Sequence, residues 1–150
     1  MANVVAAFRE QVESFAHELT ETSNLLQEQI QMVEAMQTAL SRADSVAPAL
    51  NSRLYQTRLE LLDLRGRMQG SEAKSEIGER SPPTPSSRLS VGYRGLSTTY
   101  GPTEMHRHSV QVGQAELAPI RTEIERYAEE VVPALERALE ATGAPPIEKR

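Results

Sequence analysis

The sequence predicts an all-α fold: an up-down-up three-helix bundle with a long, partly ordered loop between the second and third helices. Three observations predict it. Apolar residues recur at helical spacing over two long N-terminal stretches and one C-terminal stretch, and proline and turn signals separate these stretches. The chain holds two Phe, four Tyr and no Trp, which leaves the core to Leu, Val, Ile, Met and Ala, the residues helix packing uses most readily. With 150 residues, a single helical domain with one modest core is expected over the whole length.

The first helix is expected over about residues 3–42. Val5, Val12, Leu19, Leu26, Val33 and Leu40 form a seven-residue series, with Phe8, Phe15 and Met36 at the intermediate positions of the same heptad. Thr22 and Gln29 weaken the middle of this seam, and Ile30 shifts the stripe sideways, as suits a helix touching two neighbours. Asp44 and Ser45 then mark a turn, and Pro48 suits a helix start because its missing N–H would lack a partner there anyway.

The second helix is expected over residues 48–68. Its stripe is Leu50, Leu54, Leu61, Leu64 and Met68, widened by Tyr55, Leu59 and Leu62. A connector this short makes the first two helices antiparallel neighbours.

Composition changes over residues 69–103, where Gly70, Gly78, Pro82, Pro83, Pro85, Gly92 and Gly95 lie among many Ser and Thr. The expectation is that no regular helix survives there. Residues 70–81 read as a linker. Leu89, Val91, Tyr93, Leu96 and Tyr100 then supply apolar anchors for a short extended strand or a strap along the helices, with Tyr93 and Leu96 docking into a groove between them.

The third helix is expected over residues 104–142, with Thr103 as cap and Glu104 in the first turn. Its stripe runs Val110, Leu117, Ile120, Ile124, Tyr127, Val131, Leu135 and Ala138 or Leu139, and Gly143 stops it. Pro119 and Pro133 each remove a backbone donor and crowd the carbonyl four residues earlier, so bends or a restart are expected.

Charge and residue types exclude several functions. Sixteen Lys and Arg against twenty-one Asp and Glu give a net charge of −5, which offers no general attraction to phosphate backbones or anionic lipid, so no nucleic-acid partner is expected. The lack of cysteine removes disulfides, thiolate metal sites and a cysteine nucleophile, and leaves the compartment open. Arg9 and Glu10 come too early for the apolar core of a secretion signal, and no run reaches the length of a membrane span, so membrane insertion is not expected.

No catalytic, cofactor-binding or metal-ligating set is expected. His106 and His108 stand two apart, which on a helix points them away from one another, and His17 is isolated, so solvated or capping histidines are expected rather than a metal site. Glu129 and Glu130 are adjacent and diverge, unlike a paired acid and base. Residues 65–108 carry a surplus of three positive charges and residues 109–150 a surplus of three negative ones, so complementary charge helps to hold the strap, at about 0–1 kcal/mol per exposed pair.

The order PPTPSSRLSVGYRG, followed by STTYGPTEMHRHSVQVGQAELAPIRTEIERYAEEVVPALERALEATGAP, resembles the C-terminal tail of bacterial sortilin-like, neuraminidase-repeat glycosyl hydrolases. The resemblance covers about residues 82–146. It rests on Pro85 and Arg88, on Ser97, Pro102, Thr103 and Arg107, and on the spacing from Leu117 and Pro119 through Val132–Leu135 to Gly143, Ala144 and Pro145. In that family large β-propellers precede a helical region. The resemblance therefore implies an accessory domain, extracytoplasmic where its propeller is exported. Propeller blades need strands, many aromatic residues and a repeated Ser-x-Asp-x-Gly turn; this sequence is poor in aromatics and lacks that turn, so the family's hydrolase activity does not carry over.

The expected function is a non-catalytic interaction or scaffolding domain that binds the propeller of the same or a parent chain, or itself. Its interacting residues would be Arg88, Tyr93, Leu96, Pro102 and Arg107. One alternative is that the strap contributes to the substrate cleft of a hydrolase or peptidase-like propeller. The other is a self-associating coiled-coil module that makes homo-oligomers.

Overall fold

The computed structural model describes residues 2–43, 47–70, 83–98 and 100–143. These are all-helical, with 89% of them in helix and no strand among them. Helix α1 spans Ala2–Ser41 and α2 spans Pro48–Gln69. A 12-residue helix, α3, spans Pro85–Leu96. The fourth rod is continuous: α4 (Glu104–Arg126), a π-helical turn (Tyr127–Val131) and α5 (Val132–Ala141).

Helix α3 corrects the expectation of a helix-free strap. Thr84 is its N-cap and Pro85 stands in the first turn, where a missing N–H is harmless. The Thr84 hydroxyl accepts from the Ser87 amide at 3.2 Å, and the Thr84 amide donates to the Ser87 hydroxyl at 2.8 Å, a reciprocal capping box. The alternation at Leu89, Val91 and Tyr93 is therefore not a strand. Of the linker expected over residues 70–81, all but Gly70 lies outside the described residues.

The chain forms two compact units. The first comprises Met1–Ser23 and Arg65–Arg121. Its core is Phe8, Val12, Phe15 and Leu19 from α1, Met68 from α2, and Val110, Leu117 and Ile120 from α4, all buried. Burying a side chain such as Phe15 stabilises the fold by about 1.5–3 kcal/mol. Gln11 donates to Gln114 at 3.3 Å, Arg121 lies 3.8 Å from Glu21, and Gln69 donates to Ser23 at 2.8 Å.

Glycine decides how α3 packs. A Cβ on Gly92 would lie 2.7 Å from Val110 Cγ2 and 3.3 Å from Val12, and one on Gly95 would lie 2.8 Å from Cβ and Cγ of His106. On α4, a Cβ on Gly113 would meet the Phe15 ring at 2.7 Å and Arg88 Cβ at 3.1 Å. The glycines that read as helix breakers are thus the points of closest approach, where only hydrogen fits.

The second unit comprises Asn24–Leu64 and Thr122–Arg150. Leu26, Ile30, Val33 and Met36 of α1, Leu54 and Leu61 of α2, and Ile124, Leu135 and Leu139 of the fourth rod fill its core. Ile30 is buried where the heptad position Gln29 is only half-buried, so the stripe does shift sideways. Arg58 Nε donates to Glu34 at 3.4 Å.

The two prolines of the fourth rod act differently. The helix runs on through Pro119. Pro133 follows the π turn, in which the Val132 amide donates to the Tyr127 carbonyl five residues back. This widened turn accommodates a residue that cannot donate and would crowd the carbonyl of Glu129. At the end, Gly143 adopts φ 76° and its amide donates to the Glu140 carbonyl at 3.1 Å, the left-handed stop its position predicts. Among the described residues no helix is long and apolar enough to cross a membrane.

Candidate functional site

The candidate site is an open concavity of about 410 Å³ in the first unit, between α3 and α4. Helix α3 contributes Arg88, Val91 and Arg94, one face of three successive turns. The start of α4 contributes Met105, His106, His108 and Ser109. Gly92 and Gly95 set this geometry by letting α3 approach α4 within van der Waals contact.

His106 is buried at 8% exposure and performs a backbone task. Its Nδ1 accepts from the Thr103 amide at 3.0 Å, while the Thr103 hydroxyl accepts from the His106 amide at 3.5 Å. This is the reciprocal cap that Glu or Gln usually completes three residues after the cap residue, with an imidazole in their place. An accepting Nδ1 puts the proton on Nε2, leaving Nε2–H as the ring's remaining donor.

The charges are unevenly partnered. Arg88 Nε donates to Glu116 in a close ion pair. Arg107 lies 3.9 Å from Glu104. Arg94 and His108 have no ion-pair partner among the described residues, and the lining contains no carboxylate.

The sequence-predicted residues are not gathered into one site. Of the five, the concavity includes Arg88 alone. Tyr93 is 49% exposed on the opposite side of α3, and Leu96 is only half-buried, which corrects the expectation that these two dock into a groove. Gly92 and Gly95 are the residues that dock. Pro102 and Arg107 are half-buried near the start of α4. Arg94 and Ser109 carry no spacing signal in the sequence, whereas His106 takes the capping role that is one of the two readings open to its histidines. Among the described residues there is no group of three or more His, Cys, Asp or Glu that could hold a metal ion.

A different surface lies in the second unit. Tyr55 and Leu59, one turn apart on α2, are 56% and 41% exposed. The half-buried Leu62 continues their line. In comparisons with protein-family models, curated proteins and solved structures, the chain matches none.

Proposed function

We propose that this chain is a non-catalytic helical interaction and scaffolding domain, the C-terminal accessory part of a sortilin-like β-propeller protein. The observation that carries the interaction reading is the line Tyr55, Leu59 and Leu62 on α2, apolar side chains at helical spacing that the core leaves exposed or half-buried. The proposed occupant is the propeller of the parent chain. That assignment rests on the sequence resemblance over residues 82–146.

The same reading takes the three long rods as an up-down-up bundle in one domain. Gln11 and Glu21 of α1 pair with Gln114 and Arg121 of α4 in ascending order, which supports a parallel course. Helix α3 is then a clip on the bundle.

The test is a Tyr55→Ser, Leu59→Ser double variant, with light scattering on the chain alone and amide exchange on mixing it with the propeller portion. Protection of α2 on mixing that is lost in the variant is the expected result. A strict monomer whose exchange the propeller leaves unchanged would sink the proposal. Association of the chain alone, abolished by the variant, would instead identify a self-associating module.

A further inference from the structure

We propose that the concavity between α3 and α4 binds an oxyanion of the phosphate or sulfate kind. The inference starts from two buried residues. His106 and Ser109 are each only 8% exposed, and both line the concavity. Neither His106 Nε2 nor Ser109 Oγ has a hydrogen-bond partner among the described residues, yet no fully buried side-chain nitrogen or oxygen there lacks one. Both atoms therefore reach solvent, and the concavity is the opening their residues line. Two largely buried residues thus each keep one polar atom without a protein partner among the described residues at the concavity they line, where a ligand atom can take its place.

The surrounding charge selects the ligand. Arg88, Arg94 and His108 also line the concavity, and no carboxylate does. Glu116 takes the Nε of Arg88, but Arg94 has no anionic partner among the described residues. The residues lining the site from α4 lie in its first two turns, but Thr103 already takes the amides of His106 and Arg107, so it is the side chains that supply the donors. Guanidinium, imidazole N–H and hydroxyl donors thus come from two helices. Donors approaching from two sides suit an anion with oxygens in several directions better than a planar carboxylate. Cations are disfavoured by the same arginines. The overall charge of −5 does not oppose the site, because screening confines the relevant field to about 8–10 Å.

The site is independent of the propeller proposal, since it uses neither Tyr55 nor Leu59. The experiment is an NMR titration of the isotope-labelled full chain with sodium phosphate at constant ionic strength, with sulfate, acetate, chloride and O-phosphoserine as parallel arms. Phosphate and sulfate are expected to give saturable shifts in the His106 and His108 rings and in the amides of residues 105–109, while chloride gives none. Arg94→Gln and Ser109→Ala, each with an unchanged melting temperature, are expected to weaken phosphate binding roughly tenfold apiece, the scale of one hydrogen bond to a charged group. Tighter binding of O-phosphoserine than of phosphate identifies an esterified group as the ligand, and the reverse identifies the free anion. Acetate binding as tightly as phosphate overturns the assignment, as does a non-saturating response or one that both variants leave intact.

Discussion

The fold alters the chemistry of Tyr127. It is only 4% exposed, its hydroxyl donates to Glu60 in a close contact, and Arg126 lies 4.8 Å over its ring. Burial, then the hydrogen bond to Glu60 and that carboxylate's charge, push the phenol from 10.0 up to about 12. A raised phenol means that the folded state holds its proton more tightly than the unfolded one. The stabilisation is complete below pH 10 and is lost as pH rises toward 12. Urea midpoints measured across that range should fall for the natural chain, and Tyr127→Phe should flatten the fall. A second residue-scale prediction concerns Thr84: Thr84→Ala should destabilise α3 by about 1 kcal/mol, read as faster amide exchange in residues 85–96 with α1 unaffected. The Thr84–Ser87 pair was legible in the sequence, since a hydroxyl cap followed by proline and a second hydroxyl three residues on is a helix start. The density of prolines around it outweighed that signal. For His106 the sequence leaves a solvated and a capping role open, and the choice depends on a tautomer and on the Thr103 cap, which no spacing rule announces.

Helix α3 and the fourth rod show how glycine and proline change meaning with context. Gly92 and Gly95 are three apart, as in a loop rich in breakers, but the same spacing places two missing side chains on one helical face. Only the identity of the facing residues, Val12, Val110 and His106, tells the two cases apart. Those contacts join distant parts of the chain, so sequence periodicity does not reveal them. Gly95→Ala should destabilise the protein by about 1–3 kcal/mol through overpacking, whereas Gly66→Ala on α2, which would meet nothing within 4 Å, should stabilise it by about 0.5–1 kcal/mol. Chemical denaturation of the two variants side by side checks the opposite signs. The long helices were legible because their stripes are strong: Val12, Leu19, Leu26 and Val33 are all buried as the heptad requires. Pro133 was legible as an interruption, while the π turn that accommodates it was not, since either a kink or a widened turn satisfies the same missing donor.

At the scale of the whole molecule, the two proposed surfaces differ in physical kind and should respond oppositely to salt. Association through Tyr55 and Leu59 is apolar and should persist in sedimentation runs from about 0.1 to 1 M sodium chloride, whereas phosphate binding beside Arg94 should weaken steeply as screening shortens to about 3 Å. Loss of both together would point to unfolding. The division into two units carries a consequence for synthesis. The first unit is complete once Arg121 has been made, while the second still awaits Leu135 and Leu139. On the ribosome, therefore, the anion-binding concavity can form before the second unit's core has closed, while Leu26 and Ile30 of α1 have Leu54 and Leu61 of α2 in their unit but still lack Ile124, Leu135 and Leu139. A stalled nascent chain ending soon after Arg121 clears the exit tunnel should already bind phosphate, and is the form most prone to aggregate.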